Sequence, residues 1–322
     1  MRYRELGQTG IKVSEISLGC WTMGGLNWVN GVPNGWANVD EAEIGRALDA
    51  AIEAGVNHFD NADVYGNGKA EQMLSRILGP RGKNLIIASK VGHFPGTAAS
   101  AYEPAHIRHQ CEQSLVNLKR DTLDIYYFHH GDFGPGDLYL DDAIAAMNRL
   151  KQEGKIRAIG LSAYSAEDFL RLVPKIKPAL LQSWAHAMDA QFILPGSPVA
   201  TLMREQKLSF VAFSPLNQGL LMDKFNPKNP PKFEDGDHRK GDRRFFEESL
   251  GKVQGQMAKI KARFGDKPED LARVALQYLL SFESVACTIP GFRDRAQVTV
   301  NLAGAERPLS ADEAAFVSSV FA

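Results

Sequence analysis

The chain is poor in cysteine, has no long apolar run and carries almost no net charge. Only three cysteines occur among 322 residues, Cys20, Cys111 and Cys287, and none has Cys-x-x-Cys spacing. A disulfide framework is thereby excluded, and reduced thiols in a cytoplasmic protein are expected. No stretch reaches the roughly 18 apolar residues that a membrane helix needs. The opening Met1-Arg2-Tyr3-Arg4-Glu5 lacks the apolar core of a signal peptide. A formal net charge of −1 gives no global field that would favour nucleic acid or an anionic membrane. No Pro/Ser-rich linker divides the sequence, so a single domain over residues 1–322 is expected. Metal ligation finds little support. His58-x-Asp60 and the His129-His130 pair have no further ligands at suggestive spacing.

What is present is alternation. With 44% hydrophobic residues, the chain can bury a large core. Short apolar runs at 16–21, 56–60, 85–91, 123–129, 156–162, 180–184, 210–214 and 285–290 read as strands. Between and after them, helical stretches fall near 40–54, 69–78, 104–119, 140–153, 166–172, 198–207, 252–280 and 294–303. Asp40-x-x-Glu43 and Ser165-x-x-Asp168 look like helix N-caps. The strands alternate poorly, as parallel strands covered by helices on one face and a packed interior on the other do. Eight such repeats predict a (β/α)8 TIM barrel, with a doubly wound sheet as the competitor. Residues 1–13 precede the first barrel strand, and Gly7-Gln8-Thr9-Gly10 predicts an N-terminal β-hairpin. Two stretches, 24–38 and 226–244, break the repeat. In a barrel both fall at the C-terminal rim, where active sites are built.

Four residues at or just past the ends of successive strands carry the chemistry. Asp60 and Tyr65 follow the second strand, Lys90 ends the third and His129 the fourth. In a barrel they converge on one mouth. A phenol has a pKa near ~10 and is a poor acid at neutral pH. An adjacent ammonium favours the phenolate and is expected to lower that pKa. A carboxylate keeps the lysine charged and in place, and a histidine can orient a carbonyl oxygen by hydrogen bonding. Together the four can polarise and protonate a carbonyl that receives a hydride. Singly, each has an ordinary structural explanation: a cap, a rim packing residue, a solvent-reaching lysine, a structural histidine. Their joint placement on successive strands does not.

The ordered motifs resemble those of the aldo-keto reductase family. Asp60-x₄-Tyr65-Gly66 followed by Glu71 is similar to the family's first signature, and Leu123-Asp124-Ile125-Tyr126-Tyr127-Phe128-His129 to its strand-four motif. Gly154-Lys155-Ile156-Arg157-Ala158-Ile159-Gly160-Leu161-Ser162 resembles its strand-five motif. Ile289-Pro290-Gly291, with Gln297 and Asn301, resembles its C-terminal cofactor segment. The resemblance runs from about residue 2 to 305. It implies Tyr65 as general acid in reduction, tuned by Lys90 and Asp60, with His129 orienting the carbonyl. It also implies Ser162 and Gln182 on the nicotinamide carboxamide and Phe213 stacked on its ring. Ser214, Leu216 and Gly219 would follow the pyrophosphate. Arg293 would meet the adenosine 2′-phosphate, and Gln297 and Asn301 the adenine end. A guanidinium suits a phosphate, so NADP(H) is expected ahead of NAD(H). The chain departs from the family in three places: Ala163 replaces the usual Asn, Gly291 a frequent cation, and Val300 a frequent Glu.

A small-molecule carbonyl substrate is expected, on a pocket lined by Trp21, Trp28 and His93, with Trp36 and Phe94 near. Aromatic walls favour apolar or ring-bearing carbonyls. His186 reads as structural. Tyr65-x₃-Lys69 has the spacing used by short-chain dehydrogenases, but Gly66 and Gly68 make the required helix improbable. The rival reading is an NADP-binding regulatory or sensing subunit with little turnover, since some barrels of this family act so.

Overall fold

The computed structural model describes residues 1–29 and 31–322; residue 30, within the 24–38 excursion, lies outside the described residues. Eight parallel strands form one sheet: β1 (Leu18–Gly19), β2 (His58–Asp60), β3 (Ile86–Val91), β4 (Leu123–Phe128), β5 (Ile156–Ser162), β6 (Leu180–Trp184), β7 (Ser209–Phe213) and β8 (Val285–Ile289). The sheet closes on itself. Ser17 donates its backbone N–H to the Thr288 carbonyl (2.9 Å) and Gly19 to that of Pro290 (3.1 Å), joining β1 to β8. The barrel expected from the eight repeats is therefore present, and the doubly wound alternative is not.

Helices α1 (Glu41–Glu53), α2 (Lys69–Leu78), α3 (Pro104–Leu118), α4 (Leu140–Gln152), α5 (Ala166–Ile176) and α6 (Pro198–Gln206) follow the first six strands. Asp40 caps α1 by accepting from Ala42 N (2.9 Å) and Glu43 N (3.1 Å), and Ser165 caps α5 by accepting from Asp168 N (3.1 Å). Their apolar faces (Ile44, Leu48, Leu74, Ile107, Met147, Phe169) pack on the outward side chains of the strands in one continuous core. Each fully buried Leu, Ile or Phe there is worth about 1.5–3 kcal/mol.

The N-terminal hairpin pairs Tyr3–Glu5 with Lys12–Ser14. Its Leu6, Ile11 and Val13 pack with Ala88, Ile125, Leu180 and Val211, so the hairpin plugs the barrel end opposite the strand C-termini.

Several details differ from expectation. The single helix at 252–280 is two, α7 (Glu247–Phe264) and α8 (Pro268–Leu280). Gly265 takes φ +103, and Pro268, lacking an amide hydrogen, begins a new helix instead of continuing the old one. After α9 (Arg295–Ala303), α10 (Ala311–Phe321) was not foreseen; Ser310 and Glu313 form its capping box. The 24–38 stretch contains a second antiparallel hairpin, Leu26–Val29 with Val32–Gly35. The 226–244 excursion clasps it. Gly35 N donates to Gly236 O (2.9 Å), and His238 N to Gly35 O (2.9 Å). Both excursions thus meet at the C-terminal rim. Among the described residues no helix is long and apolar enough to cross a membrane.

Candidate active site

Strand register sets the inner constellation. Asp60 pairs with Ala88, and Lys90 lies two residues further along β3, on the same face. Lys90 pairs with Tyr127, and His129 lies two beyond that. Lys90 Nζ donates to Asp60 Oδ1, to the Asn61 carbonyl (2.7 Å) and to Tyr65 Oη (3.3 Å). Asp60 Oδ2 accepts from Gln182 Nε2 (2.8 Å). The lysine and aspartate are essentially unexposed, at 0% and 1%, so each charge depends on the other for its burial to be tolerable. Tyr65 sits on a tight turn closed by its N–H to Ala62 O (3.2 Å). The next residue, Gly66, has φ +58, and a Cβ there would lie 1.9 Å from the Gly24 carbonyl. A glycine is therefore required where this turn meets the second hairpin.

The electrostatics correct one expectation. The Tyr65 phenol is held well above its usual pKa, by burial first and the Asp60 carboxylate second. Lys90 touches the hydroxyl, but Asp60 shares the same ammonium and offsets its pull. The phenol is thus protonated at neutral pH, and its oxygen accepts from Lys90, which leaves its own hydrogen free to be donated outward. Burial, then His93 and Lys90, lower the His129 pKa well below the usual range, so its imidazole is neutral. The His129 ring meets Tyr65 edge-on at 5.9 Å and His93 at 4.4 Å, and its Nδ1 is buried without a partner among the described residues. A protonated phenol beside a neutral imidazole can donate two hydrogen bonds to one acceptor oxygen.

These groups open on a cavity of about 1550 Å³, more than a drug-sized ligand fills. Asp60, Tyr65 and His129 lie at one part of its wall. Phe213 at the end of β7 follows, then Ser214, Leu216 and Gly219 of the next loop, Arg293 just before α9, and Gln297 and Asn301 in its first and last turns. The backbone of that loop is unusual: Ser214, Asn217 and Gln218 take φ of 53, 44 and 54, and Gly219 takes 96. Arg293 Nη2 donates to the carbonyls of Ala37 and Asn38, both at 2.6 Å. The Asn301 Nδ2 is buried without a partner among the described residues.

Not every expected residue reaches the cavity. Ser162 is fully buried and does not line the cavity, its Oγ unpaired among the described residues. Gln182 lines the cavity but spends one of its two amide hydrogens on Asp60. Trp21 lines the cavity and stacks on Tyr65 at 6.1 Å and 26°. His93 lines it too, with Nε2 3.0 Å from Tyr164 Oη. Trp28 does not: it is 54% exposed, because strand alternation turns it away while Asn27 and Val29 face inward. His186, read as structural, lines the cavity, with burial lowering its pKa to about 4. Tyr164, Trp184 and His238 also line it, and no motif marked them. Among the described residues, no group of His, Cys, Asp or Glu is placed to hold a metal ion.

Residues 15–321 match the model of the aldo/keto reductase family. An aldo-keto reductase of Strobilurus tenacellus is 30% identical over 98% of this chain and 90% of its own. A probable voltage-gated potassium channel subunit beta of Arabidopsis thaliana is 27% identical over 94% of this chain and 90% of its own. The holo form of a Bacillus halodurans aldo-keto reductase superposes with a TM-score of 0.79 at 26% identity, covering 99% of this chain and 96% of that one. With this barrel, this rim cavity and these matches, the chain belongs to the aldo/keto reductase family and is an NAD(P)H-dependent oxidoreductase.

Proposed function

We propose that the protein reduces an aldehyde or ketone to an alcohol with NADPH, Tyr65 acting as the general acid. The observation that carries this reading is the Asp60–Lys90–Tyr65 chain of contacts beside a neutral His129, at the wall of one large cavity. The cavity has room for a dinucleotide together with a small substrate. The buried Nδ2 of Asn301, unpaired among the described residues, and the face of Phe213 supply contacts suited to its two ends.

When bound, the nicotinamide supplies the hydride. Tyr65 holds the proton at Oη and releases it to the carbonyl oxygen as negative charge develops there. Lys90, 3.3 Å away, stabilises the phenolate that remains. His129, neutral, orients the carbonyl oxygen without competing for the proton. Asp60 fixes the Lys90 ammonium. Arg293 retains Nη1 and Nε for a 2′-phosphate while Nη2 anchors the loop at Ala37 and Asn38, which favours NADPH over NADH.

The test is NADPH consumption by the purified protein with aromatic and aliphatic aldehydes. Repeated turnovers support a reductase. Tight NADPH binding with no more than a single turnover would favour the second reading, a cofactor-sensing regulatory subunit, which the similarity to a potassium channel beta subunit keeps open.

A further inference from the structure

His238 stands on the 226–244 excursion, outside every motif that carries the reading above, yet it lines the same cavity as Tyr65. It is fixed from three sides. Its N–H donates to the Gly35 carbonyl (2.9 Å), its Nδ1 lies 3.2 Å from Asn34 Oδ1, and its ring packs on Trp21 at 4.6 Å and 66°. Trp21 in turn stacks on Tyr65. The following residue braces the segment. Arg239 pairs with Asp237 (2.8 Å) and lies over the rings of Trp36 (4.5 Å) and Phe233 (4.2 Å).

The tautomer follows from the partner. Asn34 Oδ1 only accepts, so Nδ1 of His238 carries the hydrogen. Burial and the nearby Arg244 lower the ring's pKa against the opposing pull of Asp242 and Asp237, with Arg239 adding to the lowering, and the imidazole is neutral. A neutral imidazole that donates from Nδ1 keeps a lone pair on Nε2. Nε2 has no hydrogen-bond partner among the described residues. The cavity therefore carries a fixed acceptor one indole ring away from the phenol that donates the proton.

We propose that His238 is a specificity-determining residue that accepts, through Nε2, a hydrogen bond from a substrate hydroxyl lying a few bonds beyond the carbonyl held at Tyr65 and His129. The inference rests on the carbonyl-reductase reading and adds a substrate class to it: hydroxylated aldehydes or ketones are preferred over their deoxy counterparts. The apolar part of such a substrate lies along Trp21, and its hydroxyl replaces water at Nε2. An analogue without the hydroxyl strips that water and returns nothing, which is how a polar site rejects a smaller apolar ligand.

The experiment compares glyceraldehyde with propanal, which share a three-carbon skeleton and differ in hydroxyls. Wild type, His238→Leu and His238→Gln are assayed for NADPH oxidation and, separately, for aldehyde binding by tryptophan fluorescence, which Trp21 reports. The glyceraldehyde-to-propanal ratio of kcat/KM is expected to fall about tenfold in His238→Leu, the size of one lost hydrogen bond. The change should be carried by KM and mirrored in the ratio of binding constants. Glutamine, whose amide oxygen can accept, should recover part of it. An unchanged ratio, or an equal loss for both aldehydes that glutamine does not relieve, would overturn the proposal. If wild type oxidises NADPH with neither aldehyde, the reductase reading fails. The fluorescence titration still decides the role of His238, since an unchanged binding ratio in His238→Leu rejects it and a tenfold fall supports it.

Discussion

Gln182 Nε2 donates a hydrogen bond of 2.8 Å to the Asp60 carboxylate oxygen that Lys90 leaves free. With Lys90 on the other oxygen, this bond ties β6 across the barrel to β2 and β3, and both oxygens of a buried carboxylate are paired. Gln182 therefore supports the Asp60–Lys90 pair, and its expected contact with a carboxamide falls to its Oε1 and its second amide hydrogen. Replacing Gln182 by Leu leaves one carboxylate oxygen unpaired. We predict a stability loss of about 1–3 kcal/mol in urea unfolding and a drop in kcat larger than any rise in KM for NADPH. A raised KM with kcat intact would show that Gln182 acts through the cofactor instead.

Asp63 gives a prediction of opposite sign. Both its carboxylate oxygens are buried without a partner among the described residues, and burial, with Glu71 close by, raises its pKa well above 3.8. The folded state then keeps a proton that the unfolded chain releases once the pH passes 3.8. Folding stability is lost progressively as the pH rises from there towards the folded-state pKa. Asp63→Asn removes the ionisation. The variant's stability advantage should grow between pH 5 and 7 by up to ~1.4 kcal/mol per pH unit. Urea unfolding at both pH values checks this, and a pH-independent difference would contradict it.

Gly66 couples the second hairpin to the catalytic turn. A methyl group there would overlap the Gly24 carbonyl, and the φ of +58 disfavours any other residue. Gly66→Ala should push the hairpin away, loosen Trp21 and Tyr65 together, and lower kcat/KM about tenfold or more. Circular dichroism should still report a folded barrel. Wild-type kcat/KM in this variant would mean that the hairpin does not position Tyr65.

Arg293→Ala separates anchoring from recognition. Losing the bonds to Ala37 and Asn38 weakens NADPH and NADH alike, whereas losing a charge-assisted contact to the 2′-phosphate weakens NADPH alone. That second loss should be roughly tenfold to a hundredfold. Equal weakening of both nucleotides, measured by fluorescence titration, would remove Arg293 as the phosphate reader.

The barrel was legible because its signals are local and repeated: eight buried runs, capped helices, and a turn before the first strand. Asp60, Lys90 and His129 were legible because strand register is periodic, so residues at the ends of neighbouring strands must meet. The rim was not. The hairpin Leu26–Val29 with Val32–Gly35 is clasped by 226–244, a contact between segments about two hundred residues apart that no local pattern encodes. Trp28 shows the cost: an aromatic in the right loop, turned to solvent by strand alternation. His238 shows the converse, an unmarked residue carried into the cavity by that same clasp. The direction of the Tyr65 pKa was missed for a related reason. Proximity to Lys90 was foreseeable, but the depth of burial and the offset from Asp60 are properties of the folded site.

The most direct test of the account is Tyr65→Phe, assayed for aldehyde-dependent NADPH oxidation and for NADPH binding in the same preparation. Phenylalanine keeps the ring against Trp21 and removes only the proton donor. The account predicts turnover reduced by about 10²–10⁴, with NADPH affinity within about twofold of wild type, because the ring stays in place and only the hydroxyl used in the chemical step is lost. Near-native turnover in Tyr65→Phe would contradict it.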